Sequence, residues 1–316
     1  MKWNPFSTAY GGMVAARNGL YDGKWLRTHR LQGPVISVGN LSAGGAGKTP
    51  FVILLGELLK ARGIRFDVLS RGYGRKTRGI LLVDPGGLPS DFGDEPLLIA
   101  RRLQVPVVVG EDRYQAGRFA EARFGPQIHL LDDGFQHRRL ARDFDVVLVT
   151  PEEARDCLLP AGRLRESLSA LRRADAAVLT SGATAESFPL EGKIVWRVRR
   201  GIVVQNIPAR PVVFCGIARP QNFLLQLRAA NVDPAAQAFF RDHHAYIEKD
   251  IRDLRELAKR SEAGGFVTTE KDAVNLGGYL GALSPLAIVP VKMELEDAAN
   301  AVDTMLRVIE ERHGRS

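Results

Sequence analysis

The chain has 316 residues, of which 45% are hydrophobic and 25% are charged. This composition is typical of a folded protein with an ordinary core and excludes a largely disordered chain. No run of 18 apolar residues occurs, so we expect no bilayer-spanning helix, and two cysteines are too few for a disulfide framework or a cysteine metal cluster.

Positive charge is concentrated in two segments of the chain. The net charge is +8, and residues 1–31 carry five basic side chains against one acidic, while residues 62–78 carry six against one. Such segments predict an anionic partner, which could be nucleic acid, an anionic membrane surface or a phosphorylated substrate. The common RNA-binding and zinc-finger signatures are absent from the sequence, so nucleic acid is not expected as a partner.

The N-terminus predicts an amphipathic helix. Its apolar and aromatic residues recur at helical spacing, ending on a basic residue: Trp3, Phe6, Tyr10, Met13 and Arg17. Two interpretations stay open, because such a helix can lie in a membrane interface or can pack on the protein's own core.

Short β-rich runs alternate with helix-length segments along most of the chain. The predicted strands are 35–38, 66–70, 105–109, 128–131, 146–149, 177–179, 212–215, 266–268 and 286–291. The predicted helices include 49–62, 114–124, 163–173, 220–231 and 246–262. Apolar strands alternating with helices favour an α/β fold, with a parallel sheet flanked by helices on both faces.

The strongest local motif is the string SAGGAGKT at residues 42–49, between a predicted strand and a predicted helix. It fits the Walker A pattern except that Ser42 takes the place of the first glycine. Backbone N–H groups of such a loop surround phosphate oxygens, Lys48 reaches the β- and γ-phosphates, and the Thr49 hydroxyl is placed to bind Mg²⁺. The residues assigned to the nucleotide are Ser42, Gly44, Gly45, Ala46, Gly47, Lys48 and Thr49. The motif predicts ATP or GTP binding but does not name the reaction.

The loop places a nucleotide-binding domain in the first half of the chain. Residues 1–192 would form this P-loop domain, which also carries the predicted N-terminal helix. Residues 193–207 are interpreted as a two-stranded β-ribbon linker around Arg200 and Gly201, and residues 208–316 as a smaller C-terminal α/β domain.

A second acidic motif follows the phosphate loop. The apolar run 128–131 ends in Asp132 and Asp133, which is a Walker-B-like arrangement at the carboxyl end of a strand. The continuing string DDGFQH adds Gln136 and His137 on a loop. A lone acid at a strand end is often only a turn former, but two adjacent acids after a phosphate loop favour a metal site.

Three further segments could serve a phosphate acceptor. SRGYGRK (70–76) and GDEP (93–96) lie in the first half, and RDHHAY (241–246) lies in the second. Each has a plain alternative when taken singly: a solvated basic loop, a helix cap and a surface histidine pair.

The order of the motifs is more specific than any one of them. GGAGKTP, SRGYGRK, GDEP, DDGFQH, LLPAGRLRE (158–166), GIARP (216–220), DHHAY and TTEKDAV (268–274) follow one another along the chain. This set closely resembles the tetraacyldisaccharide 4′-kinase family, the lipid A biosynthesis kinases of Gram-negative bacteria. The resemblance covers the chain from the N-terminal helix to about residue 292.

The resemblance implies an ATP- and Mg²⁺-dependent kinase. It would transfer the γ-phosphate to the 4′-hydroxyl of a tetraacylated glucosamine disaccharide 1-phosphate, as a peripheral or monotopic protein at the cytoplasmic face of the bacterial inner membrane. We expect a monomer. The resemblance makes Asp94 the candidate base for the sugar hydroxyl, supported by His243. An Asp at a helix start beside a cationic His is a weak base, so His243 could take the proton instead.

The remaining assignments complete the expected site. Lys48 and Arg71 join Asp94 and His243 as catalytic residues. The metal would be held by Thr49 with one or more of Asp132, Asp133, Gln136 and Glu95. The acceptor would be bound by Arg71, Tyr73, Arg75, Arg113, His137 and Glu166.

Two rival functions share part of this pattern. A phosphate-loop ATPase or GTPase acting as a switch would need no acceptor and would hydrolyse nucleotide at full rate without lipid. A non-catalytic lipid-surface module would bind vesicles whether or not Lys48 is intact.

Overall fold

Runs of valine, isoleucine and leucine form the centre of the fold, as expected for parallel strands that are buried on both faces. The computed structural model of the chain describes residues 4–313. Its strands are β1 (Val35–Asn40), β2 (Phe66–Ser70), β3 (Leu81–Leu82), β4 (Val107–Val109), β5 (Ile128–Asp132), β6 (Phe144–Val149), β7 (Ala176–Leu179), β8 (Ile194–Ile202), β9 (Val212–Cys215), β10 (Ala236–Phe239), β11 (Phe266–Thr269), β12 (Leu286–Val289) and β13 (Val291–Leu295).

Helices connect these strands and cover the sheets. They are α1 (Pro5–Asp22), α2 (Lys48–Ala61), α3 (Pro89–Phe92), α4 (Asp94–Leu103), α5 (Arg113–Phe124), α6 (Pro220–Ala229), α7 (Glu248–Arg260), α8 (Glu270–Leu276) and α9 (Ala298–His313). Short 3₁₀ segments lie between β6 and β8 and after α8. Within residues 4–313, no helix is long and apolar enough to cross a membrane.

The strands form two sheets. The larger has the order β13-β8-β7-β6-β1-β5-β2-β4-β3, and its strands run parallel except at the edges, where β3 and β13 are antiparallel to their neighbours. The smaller has the order β10-β9-β11-β12 and is parallel throughout. The α/β fold with a P-loop-type parallel sheet and a second, smaller α/β unit is therefore confirmed.

The order of the strands around β1 determines where the site lies. This strand lies between β6 and β5, and Val38 of β1 pairs with Asp132 at the end of β5. The carboxyl ends of β1 and β5 therefore meet at one edge of the sheet, which is where open α/β sheets bind their ligands.

The interpretation of residues 193–207 as a two-stranded ribbon is wrong. These residues contain one nine-residue strand, β8, which pairs with β7 on one side and with β13 on the other. Gly201 does not turn the chain but pairs with Lys292 within the strand. Local pattern alone could not show this, because the antiparallel partner lies about 90 residues further along the chain.

Two other predicted elements differ from the structure. The predicted strand 286–291 is divided at Pro290 into β12 of the smaller sheet and β13 of the larger, so the chain returns to the first sheet and α9 packs there. The predicted helix 163–173 is helical only over Leu168–Arg173, as a 3₁₀ segment. Its first residues are extended because Leu164 bridges to Ser42 and is held against the phosphate loop.

The N-terminal helix forms as predicted, but its expected apolar face is divided. Phe6 and Met13 point to solvent with 74% and 66% of their surface exposed. Tyr10 is half-buried and its hydroxyl donates to a backbone carbonyl in the 158–166 segment, while Arg17 donates to a carbonyl of DDGFQH. Trp3 lies outside the described residues. Both open interpretations thus have support, since one side packs on the protein and another stays uncovered.

Candidate active site

The phosphate loop connects the end of β1 to the first turn of α2. Gly44, Gly45 and Gly47 have φ angles of 77°, 61° and 84°, a region that glycine enters without steric cost. Gly47 is the last residue before the helix, so the free N–H groups at the start of α2 point into the loop. The predicted strand, glycine loop and helix are all present, and they form an anion-binding concavity.

Lys48 is held at the base of this loop by two neighbours. Its Nζ lies 3.0 Å from Asn40 Oδ1 and 3.5 Å from Asp133 Oδ1. Arg165 donates to both oxygens of Asp133, at 2.8 and 3.1 Å. Burial would raise the pKa of Asp133, but the charge of Lys48 and the hydrogen bond from Arg165 lower it to about 2. Asp133 is therefore an ionised anchor for two cations.

Asp132 is the acid that remains available for a metal. It is buried at the end of β5, and its Oδ2 accepts a hydrogen bond from Ser70 Oγ at 3.1 Å. Its Oδ1 has no hydrogen-bond partner among the described residues. Burial and the negative charges of Glu95 and Asp133 raise the pKa of Asp132 to about 7. A bound cation would relieve both the unpaired oxygen and the repulsion between the acids.

The donor set fits Mg²⁺ held jointly by protein and nucleotide. Thr49, Glu95 and Asp132 line one cavity, whereas both oxygens of Asp133 are engaged by Arg165. Over the described part of the chain, no group of three His, Cys, Asp or Glu side chains forms a self-contained metal site. Mg²⁺ typically takes one or two protein ligands and completes its coordination shell with phosphates and water. A site with few protein ligands is therefore what a nucleotide-bound Mg²⁺ requires.

The Asp94–His243 pair joins the two halves of the chain. Asp94 is the first residue of α4, and its carboxylate oxygens lie 2.9 and 3.0 Å from His243 Nδ1. Asn275 Nδ2 donates to the same carboxylate at 3.1 Å. Burial would raise the pKa of Asp94, but the hydrogen bond from His243 and the charge of Lys271 outweigh it and lower that pKa. The hydrogen bond to Asp94 raises the pKa of His243.

Lys271 is a member of this cluster that the sequence analysis did not assign. It lies in α8, within the TTEKDAV motif, and its Nζ is 3.1 Å from Asp242 Oδ1 and 3.2 Å from His243 Nε2. Carboxylate oxygens of Asp94 and Glu95 lie 3.8 and 3.7 Å away. When His243 is neutral, its Nδ1–H donates to Asp94 and its Nε2 accepts from Lys271.

A single cavity of about 900 Å³ connects the phosphate loop with His243. Its lining includes most of the predicted residues: Gly44 to Thr49, Arg71, Tyr73, Glu95, Asp132, Asp133 and His243. The Tyr73 ring is 65% exposed and its centroid lies 5.3 Å from that of His243. The cavity size is at the upper end of the range for small-molecule sites, which suits two substrates rather than one.

Seven predicted residues lie outside the described lining of this cavity. They are Ser42, Arg75, Asp94, Arg113, Gln136, His137 and Glu166. The guanidinium of Arg75 donates to Glu111 and to the Gly79 carbonyl, each at 2.6 Å, and so fixes the shape of its own loop. Gln136 Nε2 donates to the Asn40 carbonyl at 2.9 Å, beside the phosphate loop.

Arg113 and Glu166 are buried, and His137 is half-buried. Arg113 donates to backbone carbonyls, and burial and the charge of Arg71 lower its pKa. Burial and the charge of Arg113 lower the pKa of His137 to about 4. Glu166 accepts from Asn18 of α1 at 2.6 Å and pairs with Arg173 at 2.9 Å. In this structure Glu166 holds the N-terminal helix in place.

The site and fold can be compared with known proteins. The sequence model of the family described as tetraacyldisaccharide-1-P 4′-kinase matches residues 2–310. A Koribacter versatilis protein named tetraacyldisaccharide 4′-kinase is 50% identical over 321 residues, covering 98% of this chain and 100% of that protein. A protein of the same name from Chlorobaculum tepidum is 40% identical over 296 residues, covering 85% of this chain and 84% of that protein.

A solved structure agrees with these relatives. The crystal structure of LpxK from Aquifex aeolicus in complex with ATP superposes with a TM-score of 0.80 at 34% identity, covering 96% of this chain and 98% of that chain. The chain therefore belongs to the tetraacyldisaccharide-1-P 4′-kinase family.

Proposed function

We propose that the Asp94–His243 pair activates the acceptor hydroxyl while the loop around Lys48 holds the triphosphate. As a member of its family the chain is an ATP-dependent kinase of lipid A biosynthesis, acting at the 4′-hydroxyl of a tetraacylated glucosamine disaccharide 1-phosphate. One observation supports the assignment of residues: the phosphate loop and His243 line the same cavity.

The proposed reaction is an in-line phosphoryl transfer. The 4′-oxygen forms a bond to the γ-phosphorus, and the bond from that phosphorus to the β–γ bridging oxygen breaks to release ADP. The proton of the hydroxyl passes to the Asp94–His243 pair. Lys48 and the N–H groups of Gly44, Gly45 and Gly47 stay on the phosphates and offset the charge that moves onto the leaving oxygen.

The lowered pKa of Asp94 bears on how the pair acts. An ionised carboxylate with three hydrogen-bond or charge partners is a weak base, so early proton removal contributes little. A loose transition state instead requires an oriented hydroxyl, and the proton leaves once the new bond is largely formed. We propose that Asp94 orients the hydroxyl and that the Asp94–His243 pair as a whole accepts its proton.

Thr49 and Asp132 are proposed to hold Mg²⁺, with Glu95 nearby. When bound, the ion would neutralise the β- and γ-phosphate oxygens and bring them into one geometry. Arg165 is proposed to keep Asp133 oriented toward Lys48 rather than toward the metal. Arg71 and Tyr73, which also line the cavity, are proposed to contact the anionic acceptor.

The function is tested with purified protein, radiolabelled ATP and the disaccharide 1-phosphate lipid in detergent micelles. A bisphosphorylated lipid is expected, formed in proportion to the ADP released. Lys48→Met should remove that product by lowering both nucleotide binding and transfer. ATP hydrolysis at an undiminished rate without lipid would instead favour a switch ATPase.

We propose that the protein associates peripherally with the cytoplasmic face of the inner membrane, as a monomer. The uncovered side of α1 and the turn after it carry large apolar side chains, with Phe6, Met13 and Trp25 exposed to 74%, 66% and 82%. Basic residues of the 1–31 segment lie among them, and this combination is typical of an interfacial helix.

Membrane association is tested by flotation with anionic phospholipid vesicles. Replacing Phe6 and Trp25 together by serine should reduce the floated fraction severalfold, because each side chain contributes about 1.5–3 kcal/mol when it leaves water. The same change at Leu225, which is also exposed but lies on α6, is the matched control and should leave flotation unchanged. Equal flotation of all three proteins would contradict the assignment.

A further inference from the structure

The first Walker A position holds Ser42 instead of glycine, and the structure gives a reason for this departure. Ser42 is buried beneath the loop, where its hydroxyl donates to Glu153 Oε1 at 2.5 Å and its backbone N–H donates to the same oxygen at 3.2 Å. A glycine would have no hydroxyl to offer. The departure therefore creates a contact between the phosphate loop and a carboxylate that the reaction as described does not use.

Glu153 is fully buried although it is a glutamate. It lies in the 3₁₀ segment Pro151–Arg155, directly after β6, and its second oxygen accepts from the backbone N–H of Thr150 at 3.0 Å. A buried carboxylate is costly unless its oxygens are paired, and each oxygen of Glu153 is paired. The residue is thus a fixed acceptor, tied to the end of the strand that neighbours β1.

From Ser42 a chain of hydrogen bonds continues to the catalytic lysine. Asn40, the last residue of β1, donates from Nδ2 to Ser42 Oγ at 3.1 Å. Its Oδ1 faces the other way and accepts from Lys48 Nζ at 3.0 Å and from Arg165 at 2.6 Å. Glu153, Ser42, Asn40 and Lys48 are therefore joined by three successive side-chain contacts.

The direction of each contact follows from its neighbour. The Ser42 hydroxyl has one proton, and since the proton goes to Glu153, its lone pair is left for the Asn40 amide. The Ser42 hydroxyl and the Arg165 guanidinium together orient that amide so that its oxygen faces Lys48. An amide turned the other way would present N–H groups to an ammonium group, which would repel it.

We propose that Glu153 is a positioning residue for ATP binding, acting through Ser42 and Asn40 on Lys48. It does not touch the nucleotide but keeps the lysine aimed at the phosphates and the first turn of the loop in place. The proposal concerns ATP binding alone and does not depend on which residue receives the acceptor proton.

The experiment measures ATP binding and steady-state kinetics in parallel. Glu153→Ala and Ser42→Ala are each expected to weaken binding of a non-hydrolysable ATP analogue by about three- to tenfold, which is what one lost buried hydrogen bond costs. The KM for ATP should rise by the same factor, while the KM for the lipid acceptor stays within about twofold of the wild-type value. Glu153→Gln keeps an acceptor oxygen and should restore part of the affinity.

Two comparisons separate this role from general support of the fold. The affinity of the double variant Ser42→Ala/Glu153→Ala for the analogue should equal that of whichever single variant binds it less tightly, because the two residues act through one chain of contacts. Glu121→Ala is the matched control: Glu121 is also buried and accepts two backbone N–H groups, at 2.6 and 2.8 Å, near the opposite end of β1. It should lower the unfolding temperature and leave ATP affinity unchanged.

The outcomes that overturn the proposal are distinct from failure of the kinase assignment. Analogue affinity within about twofold of wild type in Ser42→Ala would refute it, even if Glu153→Ala does not fold. Fully additive losses in the double variant would refute the chain of contacts. Because the binding titration contains no acceptor, it gives an answer even if no phosphorylated lipid is formed by the wild-type protein.

Discussion

Replacing Asp94 by asparagine tests the acceptor end of the site with little change in shape. The carboxylate accepts hydrogen bonds from His243 and Asn275 and lies 3.8 Å from Lys271 Nζ. An asparagine in its place presents an NH₂ group to one of these donors and carries no charge. One buried donor is then left without an acceptor, at a cost of about 1–3 kcal/mol in folding free energy.

The effect on transfer should be larger than the effect on folding. Loss of the group that orients and deprotonates a nucleophile typically lowers kcat by about 10²- to 10⁴-fold. This corresponds to about 3–5.5 kcal/mol of transition-state stabilisation. The KM for ATP should change little, because the described contacts of Asp94 are with His243, Asn275 and Lys271 and not with the phosphate loop.

The assay is transfer of labelled phosphate to the disaccharide lipid in micelles, with the folded fraction measured by thermal unfolding. Asp253→Asn is the control, because Asp253 is an exposed residue of α7 whose carboxylate pairs only with a surface lysine in the described contacts. A kcat for Asp94→Asn within about threefold of wild type, in folded protein, would remove Asp94 from the proposed role.

Two further predictions concern the scaffold that holds the site. His129 is buried beside Asp67, with Nδ1 2.8 Å from the carboxylate; burial lowers the His129 pKa, but the neighbouring carboxylates outweigh it and raise that pKa. The stability that this pair provides is complete below the pKa of about 6.5 that His129 has in the unfolded chain, and it is lost as the pH rises through the higher pKa of the folded chain. The difference in unfolding temperature between wild type and His129→Gln should therefore narrow from pH 6 to pH 9. A difference that stays constant would contradict a charged His129–Asp67 pair. Gly39→Ala should lower stability by about 1–3 kcal/mol, seen as a lower unfolding temperature, because its Cβ would lie 2.5 Å from Phe135 Cβ. Gly12→Ala, with open space at the same position, should not lower stability, and equal effects at both glycines would refute the packing argument.

The phosphate loop could be predicted from sequence because all of its information is local. Eight consecutive residues specify the turn, the helix start and the lysine, and neighbouring apolar runs specify the strand. The acids Asp132 and Asp133 could be located for the same reason, since the end of a buried strand fixes where they lie. Their division of labour could not, because it depends on Arg165, whose distance from Asp133 is set by tertiary packing.

Residues that meet only in the folded chain were harder to assign. Asp94 and His243 are 149 positions apart, and only the family resemblance brought them together before the structure was known. Lys271 carried no assignment although it lies within the TTEKDAV motif, and Glu153 lies outside all of the recognised motifs. The contact of Glu166 with α1 could not be predicted for the same reason. Its buried partner, Asn18, lies on a face of α1 that the aromatic spacing did not predict to pack on the protein.

The contacts of Asp94 show why the two halves of the chain must act together. The lysine and the two acids at the nucleotide end come from the first half, since Lys48, Asp132 and Asp133 lie at or after the ends of strands of the larger sheet. The acceptor end is different, because Asp94 begins a helix of the first half but takes its hydrogen bonds from residues 243 and 275 of the second. A carboxylate without those partners would keep its charge and lose its orientation. If Asp94 acts as proposed, transfer to the sugar hydroxyl requires the smaller α/β unit to be in contact with α4.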